Sequence, residues 1–189
     1  MLAASALIGV AACGESAKYP VEAGCGPKPE LPPPNETLTS ISGQYLRGIA
    51  TMRERLIVVL DLEGKTVEGK LRPSSDTPTH RVLYREWHNR GVASVVHTHS
   101  TYATGWAQAR TAIPIYGTTH ADHLAEDVPC TAVMSDEAVE RDYEVETGNQ
   151  ILECFAGRDP LHTPMVLVAG HAPFTWGKTP EKAVYSSTQ

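Results

Sequence analysis

The chain has 189 residues and a formal net charge of −6. This length suits one domain with a sizeable core, and an acidic chain without a basic stripe is not typical of nucleic-acid binding. No apolar run reaches the length of a membrane span. The four cysteines form no Cys-x-x-Cys pair, which favours free thiols in a reducing compartment. We therefore predict a cytoplasmic protein with neither nucleic-acid nor membrane partners.

Residues 1–50 differ in composition from the rest of the chain. Their Gly/Pro-rich stretch over 19–34 ends in three consecutive prolines, which indicates a loop or a disordered linker. We therefore predict an atypical N-terminal segment over residues 1–50 and a folded domain over residues 51–189.

Regular structure is predicted from residue 56 onward. The β-branched run 56–60 predicts a buried strand, with a turn over 61–65 and a returning strand over 66–70. A helix is predicted over 78–90, because proline suits its first position and Gly91 can end it. The remaining strands are predicted over 92–96, 113–116, 131–134 and 165–168, with a polar loop over 117–122. Further helices are predicted after Ser100, Ser135 and Thr179, and one over 143–155. Interleaved strands and helices predict a layered α/β fold.

The stretch from Gly91 to Tyr102 carries the strongest chemical signal. Alternate residues of a strand share a face, so His97 and His99 at the end of the predicted strand should point the same way. Two imidazoles at this spacing can hold one metal ion, although two surface histidines at a strand edge would show the same spacing. Ser100 follows as the predicted cap of the next helix.

A third histidine, His171, also follows a predicted strand, beside small residues that leave room. Together with the carboxylate of Asp76, the imidazoles of His97, His99 and His171 form a candidate site for Zn²⁺. This ion accepts nitrogen and oxygen ligands and can keep one position open for substrate. The other histidines are interpreted as surface or packing residues, with His120 kept as an alternative ligand.

Hydroxyl groups crowd the predicted start of the helix at Pro78. Ser74, Ser75 and Thr77 precede this proline, and the free N–H groups and the dipole of a helix start favour an anion. N-capping, the alternative explanation, requires only one such residue. The crowding therefore predicts an anion site.

Several short motifs occur in one order between residues 56 and 187. They are Pro73-Ser-Ser-Asp-Thr-Pro-Thr-His80, Val96-His-Thr-His-Ser100, Trp106-Ala-Gln108, Gly117-Thr-Thr-His-Ala-Asp122, Pro129-Cys130, Tyr143-Glu, Glu146-Thr-Gly-Asn149 and His171-Ala-Pro-Phe-Thr-Trp-Gly-Lys178. Together they closely resemble the L-ribulose-5-phosphate 4-epimerases, which belong to the class II aldolase/adducin superfamily. Any single motif would be weak evidence, whereas the shared order is specific.

The resemblance implies a fold, a metal and a reaction. The fold is a three-layer α/β/α sandwich around a largely antiparallel sheet, assembled as a homotetramer with active sites between subunits. The implied reaction inverts C4 of a small sugar phosphate, turning L-ribulose 5-phosphate into D-xylulose 5-phosphate in L-arabinose catabolism. It proceeds by cleavage and re-formation of the C3–C4 bond, and a divalent cation disperses the charge that cleavage leaves. The zinc ligands match Asp76, His97, His99 and His171.

The resemblance also implies roles for other residues. Asp122 matches an acid/base group that reaches the metal of a neighbouring subunit. The second acid/base group of the family is a tyrosine in a C-terminal segment that has no counterpart before Gln189. Positions that bind substrate or phosphate, or support the site, match Ser42, Gly43, Ser74, Ser75, Thr118 and Glu144.

Two departures leave alternatives open. Ser40 stands where the family carries a lysine, and we expect the chain to be C-terminally incomplete, so that metal binding survives better than turnover. Related aldolases carry glutamate in place of Asp76, and the aspartate therefore favours an epimerase. The alternatives are a related metal-dependent sugar-phosphate aldolase and a catalytically degenerate metal-binding relative.

Overall fold

The structure is a computed structural model that describes residues 9–11 and 58–188. The predicted site residues Ser42 and Gly43 lie outside the described residues. The described strands are β1 (Gly9–Ala11), β2 (Val59–Leu60), β3 (Thr66–Glu68), β4 (Ser94–His97), β5 (Met165–Leu167) and β6 (Pro173–Gly177). The described α-helices are α1 (Thr77–Trp87), α2 (Thr101–Gln108), α3 (Thr118–Ala121), α4 (Asp136–Cys154) and α5 (Pro180–Ser186).

Four strands form a mixed sheet in the order β1-β4-β6-β5. Strands β4 and β5 both pair antiparallel with β6, and β1 pairs parallel with β4. Strand β6 is a correction to the predicted elements, which include no strand over 173–177. It forms because its apolar residues pair with β4 on one side and β5 on the other. β2 and β3 form a separate hairpin around the predicted turn, in which the Lys65 N–H donates to the Asp61 carboxylate at 2.8 Å.

Helices cover both faces of this sheet. The helices α1 and α4 pack on the face that carries Val95, Phe174 and Trp176. On the other face α2 packs over Met165 and Leu167, and α5 lies on the same side. The predicted three-layer α/β/α class is thereby confirmed. Within residues 58–188, no helix combines the length and the hydropathy that crossing a membrane would require.

Local sequence signals set the limits of α1. The helix begins one residue before Pro78, and a 3₁₀ turn over His88–Arg90 follows it. The turn ends at Gly91, whose φ of 91° is a left-handed value that glycine adopts without strain. Leu83 and Trp87 are buried on the inward face of α1, as the sequence pattern predicted.

Several local predictions were wrong. The loop predicted over 117–122 contains α3, a single turn that closes when the Ala121 N–H donates to the Gly117 carbonyl. The segment 113–116 makes only an isolated bridge, between Ile113 and Val128. The segment 131–134 forms no strand: the Thr131 N–H donates to the Leu167 carbonyl of β5, and the pairing extends no further. The Ser100 hydroxyl makes no capping bond to the described residues; its carbonyl instead accepts the Thr104 N–H.

Helix α4 contains the two predicted helical segments, joined at one non-helical residue. Asp142 has φ −171° and ψ 91°, which interrupts the helix there. Its carboxylate accepts the Val145 N–H at 3.2 Å and so caps the second segment. The Ser135 hydroxyl caps the first segment in the same way, accepting the Ala138 N–H at 3.3 Å. The break makes Tyr143 the first residue of the second segment.

The close packing of α1 on α4 depends on Gly148. An added Cβ would lie 2.7 Å from the Val82 Cβ, an atom that side-chain rotation cannot move away. We expect Gly148→Ala to lower the free energy of unfolding by about 1–3 kcal/mol, measured by urea denaturation. The matched control is Gly105→Ala in α2, where an added Cβ meets nothing within 4 Å. Helix propensity should make that variant about 0.5–1 kcal/mol more stable, and equal effects at both sites would contradict the prediction.

Candidate metal centre

Three histidine side chains converge where β4 ends beside the turn between β5 and β6. His97 is the last residue of β4, and His171 lies in the turn before β6. The Nε2 atom of His99 is 3.1 Å from Nε2 of His97 and 3.2 Å from Nε2 of His171. A tetrahedral zinc ion with Zn–N bonds of about 2.05 Å separates its ligand nitrogens by about 3.3 Å. Both distances are close to this value, and all three donor atoms lie within 4.8 Å of one another, so the group can hold a single zinc ion.

The sheet brings these histidines together through its register. His97 lies opposite Phe174 in the antiparallel β4–β6 pair, and the two rings stack with centroids 4.1 Å apart. The turn that carries His171 is closed by the Val168 N–H, which donates to the Ala172 carbonyl at 3.1 Å. His99 lies two residues beyond the end of the strand, yet its ring reaches the same point as the alternation argument predicted.

Hydrogen bonds at the outer nitrogens orient two of the three rings. Nδ1 of His97 lies 3.0 Å from the Pro173 carbonyl oxygen, which can only accept, so Nδ1 carries the proton. Nε2 of His97 is then left with its lone pair directed at the other two histidines. Nδ1 of His171 lies 3.1 Å from the phenol oxygen of Tyr143. Outer hydrogen bonds of this kind fix the tautomer and orientation of histidine ligands.

Burial keeps the imidazoles of His97 and His171 neutral, which metal ligation requires. Desolvation lowers the pKa of His97 to about 4, against the raising effects of the Pro173 carbonyl and the Asp76 charge. Desolvation and the neighbouring His99 also lower the pKa of His171. At neutral pH both rings can therefore offer a lone pair. Burial likewise raises the pKa of the Tyr143 phenol, which stays neutral.

Asp76 lies beside this group rather than in it. Among the described residues, His97, His99 and His171 are the set of candidate ligands whose donor atoms all lie within 4.8 Å of one another. The Asp76 carboxylate accepts a hydrogen bond from the Ser74 hydroxyl at 3.2 Å. Its charge nevertheless raises the pKa values of His97 and His171 against the effect of burial. A role for Asp76 as fourth ligand stays a prediction.

The other predicted site residues lie near helix starts and ends. Ser74 and Ser75 are exposed just before α1, and Thr118 and Asp122 are exposed at the two ends of α3. Glu144 is half-buried in α4, where its carbonyl accepts the Thr79 hydroxyl at 2.6 Å. Their roles in binding and proton transfer stay predictions.

Within the described residues, His120, the alternative ligand, does not belong to the set of three converging histidines. It lines a cavity of about 320 Å³ together with Ser100, Trp106 and Met165. Tyr143 and Phe174 contact the metal centre in a way that the sequence did not reveal, although both lie in the motifs that carried the family resemblance. Their roles depend on which rings they contact, and those contacts are formed between distant parts of the chain.

His80 is a buried titratable group of α1 that makes stability depend on pH. It is 2% exposed, and neither ring nitrogen has a hydrogen-bond partner among the described residues. Burial, reinforced by the charge of His97 and opposed by that of Asp76, lowers its pKa from 6.5 to about 4. As the pH falls below 6.5 the unfolded chain takes up a proton that the folded chain excludes. Stability is therefore lost until the pH reaches about 4.

Between pH 7 and pH 5, we expect the free energy of unfolding to fall by about 2 kcal/mol less in the His80→Leu protein than in the wild type. Urea denaturation of the metal-free protein at the two pH values measures this difference. The control is His88→Leu, at an exposed position of the 3₁₀ turn. The stability of the His88→Leu protein should depend on pH as that of the wild type does. A wild-type pH dependence in the His80→Leu protein would contradict the conclusion that His80 causes the loss of stability.

Sequence and fold together define the class of this protein. The sequence pattern described as Class II Aldolase and Adducin N-terminal domain matches residues 32–188, and the chain belongs to this family. A solved structure of an L-fuculose 1-phosphate aldolase shares the fold, with a TM-score of 0.55 and 24% identity. That likeness covers 73% of this chain and 58% of the aldolase, and it concerns the fold alone.

A curated relative narrows the comparison within this family. The chain is 51% identical over 137 residues to L-ribulose-5-phosphate 4-epimerase UlaF of Salmonella paratyphi B (strain ATCC BAA-1250 / SPB7). The match covers 72% of this chain, and the chain spans 59% of the length of that relative. The family resemblance predicted from the motifs is thereby confirmed.

Proposed function

We propose that the chain acts as a zinc-dependent L-ribulose-5-phosphate 4-epimerase, converting L-ribulose 5-phosphate and D-xylulose 5-phosphate into each other. The observation that carries this proposal is the 51% identity to the epimerase UlaF over 137 residues. The convergence of three histidine Nε2 atoms supports a metal-dependent reaction. Zinc is the proposed ion because it readily accepts imidazole nitrogen. The proposed setting is the cytoplasmic breakdown of pentose phosphates, such as that of L-arabinose.

The three histidines would hold the ion at a site with one open side. His97 is buried against Phe174, whereas His99 is exposed, so a substrate can approach from the side of His99. When bound, zinc supplies the Lewis acidity that stabilises the charge left on the ketone fragment as the C3–C4 bond breaks. Asp76 is the proposed fourth ligand.

Proton transfer at the C4 oxygen requires an acid/base group on each side of the aldehyde. The C4 hydroxyl loses its proton as C3–C4 breaks, and the oxygen regains one after the aldehyde has turned its other face. We assign one of these groups to Asp122, whose carboxylate is exposed at the end of α3. In the proposed homotetramer it would serve the metal site of a neighbouring subunit.

The start of α1 is the proposed phosphate site. The exposed Ser74 and Ser75 adjoin the positive dipole end of an 11-residue helix, which favours a phosphate. Ser42 and Gly43 are proposed as further substrate contacts, and Thr118 and Glu144 as supporting residues. In this arrangement the phosphate would anchor the substrate while its aldehyde fragment turns.

Turnover assays on the zinc-loaded chain test the proposal. D-xylulose 5-phosphate should form from L-ribulose 5-phosphate, and L-fuculose 1-phosphate should not be cleaved. Cleavage of the latter would favour an aldolase, and zinc binding without either activity would favour a degenerate relative. We expect Asp122→Asn to lower kcat by about 10²–10⁴-fold with zinc retained. The control Asp136→Asn, at an exposed position at the start of α4, should keep wild-type turnover.

Mixing two inactive variants tests whether the sites lie between subunits. His97→Ala removes a ligand and Asp122→Asn removes the proposed acid/base group, so each variant alone should show at most about 1% of wild-type turnover. In mixed tetramers with inter-subunit sites, about one quarter of the sites would combine an intact His97 with an intact Asp122 of a neighbour. Activity that does not recover on mixing and refolding would contradict the inter-subunit assignment.

A further inference from the structure

We infer that Tyr143 is a positioning residue for His171, acting through a hydrogen bond at the outer nitrogen of that ring. The phenol oxygen lies 3.1 Å from Nδ1 of His171, and Nε2 of the same ring lies 3.2 Å from Nε2 of His99. The inference rests on the metal site of the proposed function and is independent of the substrate.

A histidine ligand requires a partner for its outer ring nitrogen. A ring that ligates through Nε2 carries its proton on Nδ1, and this proton needs an acceptor to hold the ring in one orientation. For His97 the acceptor is the Pro173 carbonyl, at 3.0 Å. For His171 the group in place is the phenol oxygen of Tyr143, since a hydroxyl oxygen can accept as well as donate.

The fold fixes the place of Tyr143. The break at Asp142 starts a new helical segment, and Tyr143 is its first residue. The Thr147 hydroxyl donates to the Tyr143 carbonyl at 2.7 Å, one turn further along. The Thr79 hydroxyl of α1 donates to the carbonyl of the next residue, Glu144, at 2.6 Å. These bonds hold the backbone of the tyrosine, and partial burial restricts its ring.

The geometry separates Tyr143 from the reacting atoms. Its oxygen contacts the Nδ1 side of the His171 ring, whereas the three converging nitrogens are all Nε2 atoms. The imidazole ring therefore stands between the phenol and the metal centre. Tyr143 acts through His171, and loss of its hydroxyl should weaken zinc binding by about 10–100-fold.

The variant Tyr143→Phe tests this inference in the full chain. Competition with a chromophoric chelator should show the 10–100-fold loss of zinc affinity, with the unfolding temperature of the metal-free protein unchanged. The matched control is Tyr185→Phe, because the Tyr185 hydroxyl lies 3.2 Å from Nδ1 of His123 in a second Tyr–His pair. This second pair is exposed and lies outside the three converging histidines. The zinc affinity of the Tyr185→Phe protein should therefore stay within about twofold of the wild type.

A spectroscopic readout separates positioning from a general structural role. In ¹⁵N-resolved spectra of the zinc-loaded protein, the Nδ1–H of His171 should give an exchange-protected signal that Tyr143→Phe loses. The inference is overturned if the Tyr143→Phe protein binds zinc with wild-type affinity. It is also overturned if the zinc affinity falls while the protected signal is retained. The variant His97→Ala separates the two proposals. If it retains zinc, the metal site of the proposed function fails; if it loses zinc while Tyr143→Phe binds normally, only the role of Tyr143 fails.

Discussion

Replacing His97 with alanine should abolish stoichiometric zinc binding. His97 is the buried member of the three histidines, and its Nε2 lies 3.1 Å from that of His99. Without it only two of the three converging imidazoles remain. Loss of an outer hydrogen-bond partner alone typically costs about 10–100-fold in metal affinity, so loss of a ligand should cost more than about 100-fold. Elemental analysis after dialysis against buffered zinc measures the stoichiometry.

The control for this prediction is a histidine outside the centre. His162 is exposed, and its Nε2 lies 3.6 Å from the Asp159 carboxylate. The variant His162→Ala should bind one zinc per chain, like the wild type. One zinc per chain in the His97→Ala protein would show that the three imidazoles do not form the binding site.

Truncation of Phe174 should reduce stability and zinc affinity together. The side chain is fully buried in the core cluster, and its ring stacks on His97 with an angle of 18° between the planes. Phe174→Ala should lower the free energy of unfolding by about 3–5 kcal/mol, as a cavity opens in the core. Because the ring also supports His97, the folded fraction should bind zinc more weakly, measured by competition with a chelator.

A second core phenylalanine provides the matched control. Phe155 belongs to the same core cluster and is also buried, but its ring contacts are with Trp87 and Trp176. Phe155→Ala should be destabilised to a similar extent, with the zinc affinity of the folded protein unchanged. The milder variant Phe174→Leu should retain most of the stability and still weaken zinc binding. Equal zinc affinities in the Phe174 and Phe155 variants would contradict a supporting role for Phe174.

Local chemistry made several elements predictable from the sequence. Gly91 ends the 3₁₀ turn after α1, and the hydroxyls of Ser135 and Thr179 cap the helices that follow them. These features depend on residues only a few positions apart. The placement of His97 and His171 beside strands could likewise be predicted, and the motif resemblance supplied the fold class.

Contacts between distant segments explain what the sequence did not show. Strand β6 begins with Pro173 and ends with Gly177, residues that usually mark the limits of regular structure. It is a strand because β4 and β5 flank it, and neither neighbour can be recognised from residues 173–177 alone. The stacking of Phe174 on His97 and the bond from His171 to Tyr143 depend on the same tertiary arrangement. The single turn of α3 is too short for an apolar period to reveal it.

The antiparallel register of β4 and β6 has a consequence for the order of events during refolding. His97 and Pro173 are 76 residues apart in sequence, and the bond between them forms only when the two strands are aligned. A slip of one residue would turn His97 to the opposite face of the sheet and dismantle the cluster. During refolding, zinc should therefore bind later than the helices form. The rate of zinc binding should follow the rate at which the long loop between the two strands closes. A stopped-flow record of zinc uptake would time that slow, non-local step directly.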